Sequence, residues 1–345
     1  MFAIAKTAAA KGLSDTETQP NPTLAPHEVR VDVSHAGICG TDMHIYQWDA
    51  WASGRVKVPT VLGHEFVGRI VELGTQVTGF KIGQRVSAEC HVVCGVCRWC
   101  RTGRGHLCPD TQILGVDRNG AFADEVAVPA SNLWPVPDEI PDHHAAIFDP
   151  LGNAMHTVMA FPIAGRDVVI SGAGPIGLMA VAMARANGAG RIVVLEPNEA
   201  KRKLAIELGA THALEPTSDI IEVLKTSLPH MPDLVLEMSG HPKALATALD
   251  LLPPGGQMAL LGIPAQAVSI DLAKTVIFKG LTLHGIIGRK MYETWYQVEQ
   301  FLRLHPEKVE KIISHVLPAH AYAKAFTLME QGQANKIVLD FTTND

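Results

Sequence analysis

Short apolar runs alternate with helical stretches from about residue 165 onward, and this alternation constrains the fold more than any other feature. Buried strands are indicated by RDVVISGAG, RIVVLEPN and PDLVLEMSG, and helical stretches follow each of them. Continuous apolar strands separated by helices are typical of a parallel sheet that is covered on both faces. The sequence therefore predicts a doubly wound α/β domain over residues 151–290.

The residues before this region have a different pattern of apolar and polar residues. Apolar and polar residues alternate in EVRVDVSHAG, EFVGRIVELG, QRVSAEC and FADEVAVPA, and glycines and prolines separate these runs. Such short strands with frequent turns predict an irregular β-barrel-like domain. We expect the last strand of the chain, KIVLDF, to return to it. A length of 345 residues fits about two domains, so the prediction is a discontinuous first domain of residues 1–150 and 291–345.

A glycine-rich loop opens the predicted α/β domain. The segment SGAGPIGL places Gly172, Gly174 and Gly177 in a G-x-G-x-x-G pattern directly after a strand and before a helix. In that context the glycines allow a tight turn and a close approach to a pyrophosphate at the helix N-terminus. Glu196 ends the next strand and is suited to accept hydrogen bonds from ribose hydroxyls, which favours NAD over NADP.

Structural explanations for these residues stay open at this point. The glycines also fit a plain turn in an α/β domain, and Glu196 also fits a solvated strand end. Lys201, on the following helix, could contact the ribose or be a solvated helix cation.

Five of the six cysteines lie between residues 90 and 108. Cys94, Cys97, Cys100 and Cys108 have the spacing of a tetrahedral zinc site, and four thiolates leave no position open for a substrate. The pattern therefore predicts a structural zinc. An iron–sulfur cluster is the competing interpretation, because ferredoxins also use C-x-x-C-x-x-C. Cys90 falls outside the set and is expected to be a buried, spare thiol.

A second group of metal-competent residues precedes this cluster. Cys39, His64 and Glu65 offer a thiolate, an imidazole and a carboxylate, and three such ligands leave a fourth position for water or substrate. Their spacing alone does not single them out, because a lone cysteine or histidine is commonly structural.

Composition excludes some classes of partner. The net charge of −6 disfavours a nucleic-acid partner, which would require a basic stripe. The N-terminus shows no secretory signal, and the most apolar run, LGNAMHTVMAFPIAG, is shorter than the about 20 residues of a membrane-spanning helix. We therefore expect a cytoplasmic protein that has no membrane partner, in a compartment where clustered cysteines bind metal.

Several segments together resemble a known family. GICGTDMHIY, GHEFVGRIVELG, VTGFKIGQRVS, the four-cysteine segment and SGAGPIGL occur in this order in zinc-dependent medium-chain alcohol dehydrogenases. The resemblance covers essentially the whole chain. It implies a GroES-like irregular β-barrel catalytic domain and a Rossmann-type NAD-binding domain.

The resemblance also implies a role for individual residues. Cys39, His64 and Glu65 match ligands of a catalytic zinc, and the four clustered cysteines match ligands of a structural zinc. Thr41 and His44 match a proton relay, which Asp149 supports. The residues that match cofactor contacts are Gly172, Gly174, Ile176, Gly177, Glu196, Lys201, Leu261, Gly262, Ile263, Ile286 and Ile287.

The implied activity is oxidation of a secondary alcohol by hydride transfer to NAD⁺. The stretches CGTDMHIYQWDAWA, AIFDPLGNAMHT and VIFKG narrow the expected substrate to L-threonine, with L-2-amino-3-oxobutanoate as product, and a homotetramer is the expected assembly. The alternative is a polyol or secondary-alcohol dehydrogenase of the sorbitol or butanediol type. A non-catalytic NAD-binding protein is disfavoured because the Cys39, His64 and Glu65 set is intact.

Overall fold

A computed structural model describes residues 1–17 and 23–343. The chain divides into two compact units. The first comprises Met1–Pro150 and Lys290–Asp345, and the second comprises Leu151–Arg289.

The elements of the N-terminal segment are mostly short. Its strands are β1 (Phe2–Lys6), β2 (Ser14–Glu17), β3 (Glu28–Gly37), β4 (Thr60–Val61), β5 (Glu65–Leu73), β6 (Arg85–Ala88), β7 (His91–Val92), β8 (Gln112–Ile113), β9 (Glu125–Pro129) and β10 (Leu133–Pro135). Its helices are α1 (Gly40–Gln47), α2 (Ala50–Arg55), α3 (Arg98–Arg101) and α4 (Asp142–Ala145), and α5 (Phe148–Val158) follows.

Strands and helices alternate in the second unit. Its strands are β11 (Val168–Ser171), β12 (Ile192–Leu195), β13 (His212–Leu214), β14 (Leu234–Glu237), β15 (Gln257–Leu260) and β16 (Thr282–Gly285). Its helices are α6 (Pro175–Ala186), α7 (Glu199–Leu208), α8 (Ile220–Ser227) and α9 (Pro242–Leu251). The C-terminal segment contains α10 (Glu293–Leu304), α11 (Pro306–Ile312), β17 (Ile313–Pro318), α12 (Tyr322–Glu330) and β18 (Lys336–Asp340).

The first unit is built around a seven-stranded sheet in the order β10-β6-β5-β3-β18-β17, with β9 also paired to β3. Strand β3 alternates buried valines with polar residues and pairs antiparallel with β5, β9 and β18. Its register with β5 shifts twice, which bends the sheet toward a barrel. Strand β18 therefore brings the C-terminal segment into the sheet of the N-terminal segment.

The second unit contains a six-stranded parallel sheet in the order β13-β12-β11-β14-β15-β16, so the predicted parallel α/β architecture is confirmed. Every residue of β11, β12 and β14 is buried, which is why these strands are continuously apolar. The chain order reverses at β11, between β12 and β14, and ligands of such sheets bind at this reversal beyond the carboxyl ends of the strands.

One part of this unit had no clear sequence signal. Strand β13 and helix α8 lie between β12 and β14 in the chain, and neither was predicted. Strand β13 has three residues and lies at the edge of the sheet, so it lacks the long apolar run that identifies a central strand.

Within residues 1–17 and 23–343, no helix is long and apolar enough to cross a bilayer.

Candidate active site

The turn from β3 into α1 places Cys39 at the helix N-cap. The backbone N–H of Cys39 donates to Asp42 Oδ2 at 2.8 Å, so a carboxylate from the first turn of the helix fixes the cap. Thr41 and His44 are three residues apart on this short helix and therefore lie on the same side of it. One helical segment thus carries a metal-competent thiol and both predicted relay residues.

The turn into β5 places His64 and Glu65 beside this thiol. Gly63 adopts φ +90°, and a Cβ at that position would lie 2.3 Å from the ring of Phe122, so only glycine fits there. Ligand atoms of Cys39, His64 and Glu65 lie within 4.8 Å of one another, and His64 and Glu65 are buried. The structure brings together all three residues that the family resemblance implies as ligands of one metal ion.

The electrostatics of this cluster favour a cation. Burial alone would lower the pKa of His64, yet the carboxylate of Asp42 and the thiol of Cys39 outweigh it and raise that pKa to about 10. Burial raises the pKa of Glu65, and the ammonium of Lys336 counters part of this rise. The raised pKa of His64 shows that negatively charged groups surround its imidazole. A divalent cation bound in the Cys39 cluster can neutralise that charge.

Two supporting residues had no sequence signal. Asp42 is fully buried, and its Oδ1 lies 3.7 Å from His64 Nδ1, so it can orient that ring. Lys336 comes from β18, and its Nζ lies 2.5 Å from Glu65 Oε2 and donates to the carbonyl of Ile38 at 2.7 Å. Asp42 and His64 are far apart in the sequence, and so are Lys336 and Glu65. No sequence motif predicts these pairs, because the contacts form only in the folded chain.

The cluster fits zinc by its donor set and by its unsatisfied atoms. Sulfur, nitrogen and oxygen ligands in one buried group are the set used by catalytic zinc sites that keep an open position. Among the described residues, Glu65 Oε1 is buried without a hydrogen-bond partner. A buried carboxylate oxygen left in this state is costly unless a cation neutralises it.

The four-cysteine cluster also closes as predicted. Cys97 Sγ lies 3.5 Å from Cys100 Sγ, and Cys108 Sγ lies 3.6 Å from Cys94 Sγ. These separations are close to the edge of a tetrahedron with metal–sulfur bonds of about 2.3 Å. Burial and the neighbouring Cys97 thiol raise the pKa of Cys100 to about 12, so four thiols in contact require a cation to ionise together.

The remaining cysteine of this region has a separate environment. Cys90 is buried outside the four-cysteine cluster, as expected, and its Sγ lies 3.6 Å from His91 Nδ1. Glu89 accepts hydrogen bonds from His91 Nδ1 at 2.7 Å and from Trp295 Nε1 at 3.0 Å.

Of the predicted relay residues, Thr41 and Asp149 lie close to the Cys39 cluster, and His44 contacts Asp49. Thr41 Oγ1 is 3.9 Å from Cys39 Sγ, and His44 Nδ1 is 2.6 Å from Asp49 Oδ2. Asp149 is buried, and its charge contributes to the raised pKa of both His64 and Glu65. The three residues predicted to move or support a proton therefore belong to the same unit as the metal cluster.

The glycine-rich loop has the geometry of a phosphate cradle. Gly172 adopts φ +95°, and a Cβ on Gly177 would lie 2.1 Å from the carbonyl oxygen of Gly172, so both positions require glycine. A Cβ on Gly174 would meet no described atom within 4 Å, which leaves space at the N-terminus of α6. Ile176 lies in the first turn of that helix. The loop therefore fits a dinucleotide pyrophosphate.

Glu196 closes one side of a cavity of about 360 Å³ at the carboxyl edge of the sheet. Its Oε2 accepts from the backbone N–H of Ala173 at 2.8 Å, and its Oε1 accepts from that of Asn198 at 3.0 Å. The same cavity is lined by His241 and Lys243, which the sequence analysis did not identify. The sequence could have indicated them by their position just after β14, the strand next to β11, because residues at that edge of the sheet lie near bound ligands.

The other predicted cofactor residues follow strands at this edge. Leu261, Gly262 and Ile263 come directly after β15, and Ile286 and Ile287 come directly after β16. The side chains of Ile263 and Ile287 are 90% and 57% exposed, which is unusual for isoleucine and leaves apolar surface to cover a ligand. The backbone N–H of Lys201 donates to Asn198 Oδ1 at 3.1 Å, and its contact with a ribose stays a prediction.

Comparison with known proteins agrees with this geometry. Residues 25–138 match the family described as alcohol dehydrogenase GroES-like domain, and residues 175–303 match the family described as zinc-binding dehydrogenase. An L-threonine 3-dehydrogenase of Stenotrophomonas maltophilia (strain K279a) is 48% identical over 343 residues, which covers 99% of this chain and 100% of the relative.

Solved structures show the same fold. A protein described as a short chain alcohol dehydrogenase from E. coli CFT073, complexed with cofactor NADH, aligns with a TM-score of 0.89 at 30% identity and 99% coverage of both chains. Galactitol-1-phosphate dehydrogenase from Escherichia coli aligns with a TM-score of 0.90 at 25% identity, covering 99% of this chain and 100% of that one. With its GroES-like unit, its parallel-sheet unit, the four-cysteine cluster and the Cys39 cluster, this chain belongs to the zinc-binding medium-chain alcohol dehydrogenase family.

Proposed function

We propose that this chain is a zinc- and NAD-dependent dehydrogenase that oxidises L-threonine to L-2-amino-3-oxobutanoate. The observation that carries this proposal is the cluster of Cys39 with the buried His64 and Glu65 beside Thr41, in a chain that matches an L-threonine 3-dehydrogenase along its whole length. Zinc in this cluster supplies a Lewis acid for the substrate oxygen, and NAD⁺ supplies the hydride acceptor.

The residues of the first unit hold and move the proton that the alcohol must lose. The Thr41 hydroxyl both donates and accepts, so it can take the substrate proton and pass its own onward. His44, one turn later on α1, is the acceptor, since a neutral imidazole has one ring nitrogen whose lone pair can take up a proton. The charge of Asp149, which raises the pKa of both His64 and Glu65, lies close to the Cys39 cluster and supports this relay.

The residues of the second unit bind and orient the dinucleotide. The loop at Gly172 to Gly177 holds the pyrophosphate, Glu196 accepts from the adenosine ribose, and Lys201 reaches the same ribose. The exposed apolar residues after β15 and β16 line the nicotinamide site. In this proposal the first unit is the catalytic domain and the second unit is the NAD-binding domain.

The proposal includes a structural zinc at Cys94, Cys97, Cys100 and Cys108, a cytoplasmic location and a homotetramer. The exposed edge of the parallel sheet supports assembly. Strand β16 ends the sheet, and Phe278 and Ile277 beside it are 83% and 67% exposed. An open strand edge flanked by apolar side chains favours pairing with a second copy of the chain.

Substrate oxidation tests the proposal directly. Purified enzyme, loaded with zinc, is expected to form NADH with L-threonine much faster than with sorbitol or 2,3-butanediol, and chelation of the labile zinc should abolish the signal. Faster turnover of a polyol would favour the alternative, a polyol or secondary-alcohol dehydrogenase of the same fold. Absence of a threonine-dependent signal in zinc-loaded enzyme would refute the substrate assignment.

A further inference from the structure

The imidazole of His44 has one charged partner that is absent from the predicted relay. His44 Nδ1 lies 2.6 Å from Asp49 Oδ2, and this pair links the last turn of α1 to the residue that begins α2. The two side chains are 57% and 36% exposed, so solvent reaches the pair, in contrast to the buried His64 and Glu65.

The second carboxylate oxygen of Asp49 caps helix α2. Asp49 is the N-cap of α2, and its Oδ1 accepts from the backbone N–H of Ala52 at 2.9 Å. If the carboxylate rotated to place Oδ1 on His44, the hydrogen bond from Ala52 N–H that caps α2 would be lost, so its orientation is fixed. Burial raises the pKa of Asp49, but the hydrogen bonds from Ala52 and His44 outweigh it and lower that pKa, so the group is ionised and only accepts.

The corner between the two helices is fixed by further contacts. Trp48 adopts the left-handed conformation at φ 56°, and its backbone N–H donates to the carbonyl of Ile45 at 3.2 Å. Lys6 Nζ lies 5.0 Å from the centroid of the Trp48 ring and donates to the carbonyl of Tyr46 at 3.3 Å. The ring of Trp51 stands edge-on to His44 at 6.0 Å. These contacts of Trp48 and Trp51 stabilise the corner that places Asp49 next to His44.

This geometry determines where the proton of neutral His44 resides. Because an ionised carboxylate offers only lone pairs, Nδ1 must carry the hydrogen, and Nε2 is left with the lone pair. A proton relay needs that lone pair, since an imidazole that already carries a hydrogen on Nε2 cannot accept a proton there.

We propose that Asp49 is a positioning residue of the proton relay, which fixes the tautomer and orientation of His44 so that Nε2 accepts the proton passed on by Thr41. This role rests on the proposed function, since it assigns Asp49 to the same alcohol oxidation. It is separate from the capping of α2, although one carboxylate performs both.

Two substitutions separate the roles. Asn and Ser cap helices about as well as Asp, so Asp49→Asn and Asp49→Ser both preserve α2. In Asp49→Asn the amide oxygen stays on Ala52 N–H, and the NH₂ group then donates to His44 Nδ1, which imposes the wrong tautomer. In Asp49→Ser no group at position 49 imposes either tautomer on His44. We expect kcat to fall about 10- to 100-fold in Asp49→Asn and less in Asp49→Ser, with NAD affinity unchanged.

Imidazole nitrogen shifts give a readout that does not depend on activity. In protein labelled with ¹⁵N-histidine and measured at pH 9, the His44 signal should show Nδ1–H in the parent and Nε2–H in Asp49→Asn. A His44→Gln variant assigns the signal. The matched control is Asp271→Asn, because Asp271 Oδ1 accepts from the backbone N–H of Lys274, three residues later, at 3.0 Å, as Asp49 does from Ala52.

The outcomes are distinct. A parent-like tautomer in Asp49→Asn, or a kcat within about twofold of the parent, would overturn the proposal, as would equal kcat values for Asn and Ser at position 49. If the parent does not oxidise L-threonine, the proposed function fails, but the nitrogen shifts still decide whether Asp49 sets the tautomer of His44.

Discussion

Gly37 and Glu65 stand opposite each other across strands β3 and β5, and a Cβ on Gly37 would lie 2.2 Å from Glu65 Oε2. The same Cβ would lie 3.2 Å from the side chain of Lys336, which holds that carboxylate. The absence of a side chain at position 37 therefore creates the space in which a metal-competent carboxylate and its ammonium partner meet.

Gly37→Ala should displace Glu65 from the cluster. Overpacking of this kind costs about 1–3 kcal/mol, and the cheapest relief is movement of the Glu65 side chain. We expect zinc content to fall by about one ion per chain and turnover to be largely lost, while circular dichroism stays native. Elemental analysis and NADH formation measure this. Gly54→Ala is the control, because its Cβ would meet nothing within 4 Å; full zinc content in Gly37→Ala would contradict the argument.

The two metal clusters should respond differently to loss of a single thiol. Cys97→Ser breaks a closed four-thiolate site and is expected to lower the unfolding free energy by about 2 kcal/mol or more, and to weaken assembly. Cys39→Ser should abolish turnover in a protein that still folds and binds NAD. Thermal unfolding, zinc analysis and NAD titration separate these results. A Cys97→Ser variant with unchanged stability and zinc content would show that the cluster does not brace its loop.

Zinc affinity at the Cys39 cluster should rise with pH. In the metal-free protein the pKa of His64 is raised to about 10, so its imidazole is protonated across the neutral range and must lose that proton to bind zinc. Each proton released strengthens binding about tenfold per pH unit below about pH 10. Chelator competition between pH 6.5 and 9 measures the slope. A flat profile would mean that His64 is already neutral before the metal binds.

Glu196→Gln should weaken NAD binding and reduce discrimination against NADP. Its carboxylate accepts from the backbone N–H groups of Ala173 and Asn198, and one amide oxygen cannot replace both acceptors. Hydrogen bonds to charged groups contribute about 1.5–3 kcal/mol, so we expect KM for NAD to rise about 10- to 100-fold. Initial rates with both cofactors test this. Glu199→Gln, at an exposed position in the first turn of α7, should leave both constants unchanged.

Phe278→Glu should shift the protein toward smaller assemblies. A charge beside the β16 edge disfavours pairing of that edge with a second copy, because the charge would be buried without a partner. Light scattering with size-exclusion chromatography measures the mass. Leu304→Glu is a suitable control, since Leu304 is 70% exposed on α10. A parent-like mass in Phe278→Glu would move the interface away from this edge.

The sequence by itself determined the features that are local in the chain. Alternation of apolar strands and helices predicted the parallel sheet, because a strand buried on both faces has to be continuously apolar. The glycines at 172, 174 and 177 predicted the loop, because a tight turn and close backbone approach both require glycine. The spacing from Cys94 to Cys108 predicted the closed thiol cluster, because that loop alone brings the four sulfur atoms together.

The tertiary structure decided the features that join distant segments. Lys336 reaches Glu65 only because β18 pairs with β3, and Asp42 faces His64 only because α1 packs beside the turn into β5. The same holds for Asp49, whose link to His44 depends on the left-handed corner between two short helices. Periodicity reports which side of an element is buried, but it carries no information on which distant side chain completes a charge pair.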